Sequence, residues 1–279
     1  MRVVHLLTVC LSIMLFSLIG CSSSGDTINS DNSGVNNPKS WGAPVLIEDG
    51  DSDYSTYPKI GIATDGSAIA VWFQYDENRL NIWANQFDGS GWNDSEPINS
   101  ANERVAEKPR VAVTGDGNAI AIWEQSDGTR TRIWANRFDG NLWGTPEIID
   151  VNADSHSSDA QIAIAPDGSA IAVWTQFDGS RYNIWANFFN STDWGSAERI
   201  GRNDLGYSYF PEIAMNTDGS GLAVWFQNDE FSLKIWANRF ANSAWGAAEL
   251  VENNDSEAAG YPHVTLARNG NARRQSSSA

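Results

Sequence analysis

From Trp41 onward, apolar and polar residues follow one another in short runs that recur in a fixed order. In one copy AQIAIAP is an alternating run, Asp167-Gly168 follows as a hairpin signal, SAIAVWTQ is a second run, and Asp178-Gly179 turns the chain into NIWANFF. A fourth run starts at Trp194 and continues through GSAERI. In SAIAVWTQ, Ala170, Ala172, Trp174 and Gln176 share one face and Ile171 and Val173 the other, so both faces are largely apolar. A strand of that kind belongs in a sheet covered on both sides. No helical period accompanies these runs.

The order returns every 51 residues. Trp41, Trp92, Trp143, Trp194 and Trp245 open the copies; Trp72, Trp123, Trp174 and Trp225 end an Ala-Val-Trp or Ala-Ile-Trp unit; Trp83, Trp134, Trp185 and Trp236 sit in Ile-Trp-Ala-Asn. All 13 tryptophans belong to these three series. Four short strands per copy, joined by Asp-Gly turns, are the content of a β-propeller blade. The pattern therefore predicts an all-β propeller over residues 41–272, with four complete four-stranded blades, an unpaired first strand at 41–47 and a lone inner strand at 262–268. The tryptophans in the strand runs are expected to be structural wedges between blades, each burying about 150–250 Å². Those that open each copy lie on the outermost strand and are the ones expected to meet solvent. The recurring Asn85, Asn136, Asn187 and Asn238, and Gln74, Gln125, Gln176 and Gln227, are expected to satisfy backbone groups of the loops, since a buried amide without partners is costly.

At the hairpin level, PKIGIATDGSAIAVW and IAPDGSAIAVWTQFDGSRYNIW resemble the TolB-type propeller repeat, in which a Pro-Asp-Gly turn precedes an Ile-Ala run and a later Asp-Gly turn. The resemblance covers the first three strands of each blade. It implies the propeller fold and leaves function open, because such blades occur in translocation, peptidase-associated and scaffolding proteins alike. The sialidase Asp-box, Ser-x-Asp-x-Gly-x-x-Trp, is not matched, because glycine follows aspartate directly in Asp167-Gly168.

Residues 1–20 carry Arg2, an apolar run and a terminal Gly20, the composition of a secretory signal. Leu18-Ile19-Gly20-Cys21 resembles the lipobox of bacterial lipoproteins, which implies cleavage before Cys21 and acylation of that cysteine. The serine- and asparagine-rich stretch that follows, completing the segment 21–40, reads as a flexible tether with a reach of roughly 25 Å. Cys10 lies in the signal, so no disulfide is available to the mature chain. Ser22 lacks the aspartate that in enteric bacteria favours inner-membrane retention, and the expected location is the outer membrane of a Gram-negative envelope, with the lipid as the membrane contact.

The net charge of −17 becomes one unit more negative when Arg2 leaves with the signal. Such a balance repels nucleic acid, and none is expected as a partner. The acid concentrates in blade-joining loops: Asp49, Asp51 and Asp53 in one, Asp150, Asn152 and Asp154 in another. Alternating carboxylate and amide oxygens suit a hard cation, which makes these six the candidate calcium ligands, with a solvated acidic loop as the competing reading. The mature chain has two histidines, His156 and His263, without zinc spacing, and no free thiol nucleophile. No catalytic residue is assigned. The expected function is a non-catalytic binding module for a glycan or protein. The alternatives are a carbohydrate-active hydrolase using loop carboxylates and a structural fragment of a longer propeller. The last of these comes from residues 273–279, RRQSSSA, which put charges where the other copies have Ile and Ala after Ala272 and read as an aberrant tail of a truncated or frame-shifted chain.

Overall fold

The computed structural model describes residues 42–48, 54–76, 79–100, 105–151, 155–202, 206–228, 233–251, 262–266 and 272–275. The signal, Cys21, the tether and Trp41 lie outside them, as do Asp49, Asp51, Asp53, Asn152 and Asp154. The described residues from Ile47 onward form one compact unit. Residues 42–46 belong to the preceding unit and form no strand.

The first sheet contains β1 (Ser55–Ile62), β2 (Ala68–Asp76), β3 (Arg79–Phe87) and β4 (Glu96–Pro97). The second contains β5 (Ala106–Val113), β6 (Ala119–Ser126), β7 (Thr131–Phe138) and β8 (Glu147–Ile148). The third contains β9 (Ser157–Ile164), β10 (Ala170–Phe177), β11 (Tyr182–Phe189) and β12 (Glu198–Arg199). The fourth contains β13 (Ser208–Met215), β14 (Gly221–Asn228), β15 (Leu233–Ala241), β16 (Ala244–Trp245) and β17 (Glu249–Leu250). All pairings within these sheets are antiparallel and the meander repeats four times; in the fourth sheet the outer strand is split into β16 and β17, both paired with β15. Contacts between first strands of successive sheets place β1, β5, β9 and β13 side by side on the inner side. The fold is a β-propeller.

Asp-Gly turns set the hairpins. Gly168 has a φ of 84°, which glycine adopts without steric cost, and Asp167 Oδ1 accepts from the Ser169 N–H at 2.9 Å and its hydroxyl at 2.7 Å. Gly66, Gly117 and Gly219 occupy the same place in the other copies, with φ between 80° and 92°. The fourth strand is much shorter than the run from Trp194 through GSAERI predicts. It consists of one bridge, Phe189 to Trp194, and the two-residue ladder Trp185↔Arg199, Ala186↔Glu198. Between these Gly195 N donates to Phe188 O at 2.9 Å and the Asn187 side-chain amide donates to Gly195 O at 3.1 Å, so a side chain joins the main chain in holding the outer segment. The expected strand at 41–47 is also not formed where described.

Three apolar clusters hold the blades together, one at each joint. Between the first two blades, Ile69, Val71 and Phe73 pack on Ala119, Ala121 and Trp123; between the second and third, Ile120 and Ile122 pack on Ala170, Ala172 and Trp174; Ile171 and Val173 meet Ala223 and Trp225 at the last. The two faces of SAIAVWTQ therefore serve two different joints. Trp72, Trp123, Trp174 and Trp225 are buried, as their wedge role requires. Trp83, Trp134 and Trp185 are half-buried, and Trp236 is buried. Trp92, Trp143, Trp194 and Trp245 are half-buried as well, each leaning on the phenylalanine at the end of the third strand with ring centroids 5.3–5.6 Å apart.

At the far end, β18 (His263–Leu266) pairs with β19 (Ala272–Gln275) in the register Leu266↔Ala272 to His263↔Gln275. That repeats the offset of Ile164↔Ala170 in the third blade. The expected break after Ala272 is thus a break in side-chain pattern and not in the backbone ladder, because ladder bonds are made by the main chain whatever side chain follows.

Candidate functional site

The repeated amides act between blades. Asn136 Nδ2 donates to Ile98 O at 2.9 Å, Asn187 Nδ2 to Ile149 O at 2.9 Å, and Asn238 Nδ2 to Ile200 O at 3.0 Å, each reaching the outer edge of the blade before. The glutamines accept from the indole two residues earlier: Trp72 Nε1 to Gln74 Oε1 is 2.8 Å, Trp123 to Gln125 2.6 Å, Trp174 to Gln176 2.9 Å and Trp225 to Gln227 3.3 Å. The Gln176 amide goes on to a loop carbonyl, Val151 O, at 3.3 Å. These residues are hydrogen-bonded scaffold.

Asp150 has a role that its loop setting concealed. Its carboxylate is fully buried, with Oδ1 2.8 Å from Arg132 Nε and 2.6 Å from Nη2, and Oδ2 accepting from Ser157 Oγ at 2.6 Å and Ile133 N at 3.2 Å. Four donors saturate it, so Asp150 is a structural anion and not a loop ligand. Among the described residues, no group of three His, Cys, Asp or Glu side chains is placed to hold a metal ion.

The inner strands behave differently. In each of β1, β5, β9 and β13 the register slips by one residue, a β-bulge, and a non-glycine residue at the bulge takes positive φ: Tyr57 at 54°, Lys108 at 52°, Asp159 at 56° and Phe210 at 50°. Left-handed backbone at a bulky side chain is uncommon and costs energy, and it accompanies sites where side-chain direction matters. Two residues after these bulges stand Lys59, Arg110, Gln161 and Glu212, and the same 51-residue step leads on to His263 in β18. Arg110 Nε donates to Gln161 Oε1 at 3.0 Å, and Gln161 Nε2 to Glu212 Oε1 at 3.1 Å, a row of hydrogen bonds across three blades.

This row floors a cleft of about 180 Å³ whose rim includes Lys108, Glu124, Asp159, Phe210 and His263. Glu124 is almost wholly buried, its carboxylate 3.2 Å from Lys108 Nζ and accepting from Asp159 N at 2.8 Å. Burial pushes the Glu124 and Glu212 carboxyls above their ordinary values, opposed by the neighbouring cations. Burial and the nearby Arg110 charge together lower the Lys59 ammonium.

Beside the cleft runs a wall of aromatic rings. Tyr182 lies 5.4 Å from Tyr209, which lies 5.8 Å from Phe226; Phe210 lies 5.4 Å from Phe226, and Tyr207 stacks near Tyr209 at 6.3 Å. Tyr207 and Phe210 are 45% and 39% exposed, so part of the wall is open to solvent. The tryptophans of the second strands serve as wedges between blades, as expected, and the exposed rings lie elsewhere. The missed signal was GYSYF at 206–210, aromatic where the corresponding stretch of the second copy is RVAEK at 104–108.

No protein-family model and no curated protein matches this chain. Among solved structures it is similar to a Dyadobacter fermentans protein of unknown function, at 10% identity and a TM-score of 0.53, over 82% of this chain and 76% of that one. It is also similar to the leech intramolecular trans-sialidase complexed with 2,7-anhydro-Neu5Ac, at 9% identity and a TM-score of 0.50 over 77% of this chain, spanning 54% of that protein. A Bacteroides thetaiotaomicron endo-arabinase matches at 12% identity and a TM-score of 0.44, over 78% of this chain and 92% of that one. At such identities the likeness concerns the fold.

Proposed function

We infer that this protein is a glycan-binding propeller held at the bacterial envelope by an acylated Cys21, with an outer-membrane location expected from Ser22. The observation that carries the reading is the open aromatic wall of Tyr207, Tyr209 and Phe210 beside a cleft floored by Arg110, Gln161 and Glu212. A sugar presents an apolar ring face and a polar rim of hydroxyls, and a site with one ring-shaped wall and several convergent donors and acceptors matches both. The trans-sialidase among the similar structures was solved with a bound sugar, in keeping with this reading. A glycan array probed with the full-length chain in detergent micelles tests it. Binding that Phe210→Ala weakens at least tenfold without loss of fold supports the assignment, and an array silent to the folded protein refutes it.

The raised carboxyl of Glu212 in an open cleft supports a second reading, a hydrolase, since a general acid must hold its proton near neutral pH. Release of shorter products from a bound oligosaccharide, abolished in Glu212→Gln, would establish it.

A further inference from the structure

Arg110 is a guanidinium with its orientation fixed and part of its hydrogen-bonding capacity unused. Its Nε donates to Gln161 and its Nη1 to Pro109 O at 3.0 Å. Among the described residues Nη2 finds no acceptor and no carboxylate comes within ion-pairing distance. Gln161 is in turn fixed by Glu212, so the row Glu212–Gln161–Arg110 holds the planar fork by two successive hydrogen bonds. The nearby acids have other engagements: Glu124 is tied to Lys108, and Asp159 Oδ2 accepts from Ser158 Oγ at 3.2 Å. Lys59 stands one repeat away from Arg110 at the same position of β1, and burial together with that neighbouring charge depresses its proton affinity. Glu212, Glu124 and Asp159 act on Arg110 through space without reaching ion-pairing distance, so the Nη2 edge of the guanidinium is the part of the cleft left for an incoming anion.

We propose that Arg110 reads an anionic substituent, a carboxylate or sulfate, on the glycan held in the cleft, and that Gln161 and Glu212 are positioning residues for it. This deepens the glycan-binding reading and rests on it. A planar fork accepts two anionic oxygens side by side, which a hydroxyl cannot supply, so the arrangement selects acidic over neutral sugars.

The test measures affinities of the full-length chain in micelles for matched pairs: oligogalacturonate and its methyl ester, sialyllactose and lactose, sulfated and desulfated chondroitin oligosaccharides. We expect one acidic member to bind about 10- to 100-fold more tightly than its neutral partner. The carboxylate and sulfate pairs tell the two sources apart. Arg110→Gln should bring that ratio close to one by weakening acidic binding far more than neutral binding, Arg110→Lys should restore part of it, and Gln161→Leu should reduce it. Should the variants fail to fold, the wild type still decides: acidic binding must weaken as salt rises while neutral binding does not. Equal affinity for acidic and neutral members overturns this inference and leaves the glycan reading intact. Binding to no sugar overturns both.

Discussion

The joints between blades and the inner strands come from the same 51-residue unit, yet they treat repetition in opposite ways. At the joints the same side chains recur: a tryptophan, a glutamine that accepts its indole, and an asparagine that reaches the previous blade. On the inner strands each copy differs, with Tyr57, Lys108, Asp159 and Phe210 at the bulge and Lys59, Arg110, Gln161 and Glu212 two residues later. A joint must do the same work wherever it occurs. A site that breaks the symmetry of the repeat needs different chemistry from each blade, delivered by one shared backbone geometry.

The contrast can be broken most severely at the joints. Trp174→Ala empties a fully buried position between the second and third blades and should cost about 3–5 kcal/mol, read as a large fall in the urea midpoint. A similar loss follows from Asp150→Ala, which strands Arg132 inside the protein, by about 3–5 kcal/mol. The first blade supplies the control. There Asn99 Nδ2 donates to Asn81 Oδ1 at 3.1 Å in the place of that ion pair, so the double variant Arg132→Asn, Asp150→Asn should recover much of the stability in the same unfolding experiment.

Smaller effects separate the two regions by sign. Asp88 in an exposed turn is held down to about 2 by the Ser90 hydroxyl and by the Gly91 and Ser90 N–H groups. Its contribution is present above the unfolded carboxyl value and lost as pH falls through about 2. Glu124 in the cleft is raised by burial, so its contribution is present below the unfolded value and lost as pH rises through the folded one. Thermal melts across pH should therefore show Asp88→Asn flattening the acid arm and Glu124→Gln flattening the decline that sets in above the ordinary carboxyl range. The least change in stability is expected for Phe210→Gly. It releases a left-handed residue, a gain of about 1 kcal/mol that offsets the lost ring contacts, so the midpoint should stay nearly fixed while glycan binding falls.

Much of the architecture was legible because blade packing needs bulky wedges at a fixed step, and Trp72, Trp123, Trp174 and Trp225 advertise it. The extent of the fourth strand was not, because nothing in GSAERI reveals that the Gly195 carbonyl is taken by the Asn187 side chain. The cleft was hidden for a related reason. Alternation along a strand tells which side chains share a face only while the register holds, and the bulges at Lys108 and Asp159 insert an extra residue just before Arg110 and Gln161. The 51-residue step brought Arg110, Gln161 and Glu212 into one column, but nothing in the alternation said that they touch. Asp150 misled by composition: an acidic loop suggests solvent or cation, while its partner Arg132 is 18 residues away.

The backward reach of the asparagines gives the molecule a direction. Each amide seeks a carbonyl 38 residues earlier, on a blade that has already left the ribosome when its own strand emerges. No bond in that series waits for a later blade. Assembly can therefore keep pace with delivery of the chain, each new sheet docking on a finished template, and a stalled chain would leave its last wedge face uncovered while every earlier joint stood complete.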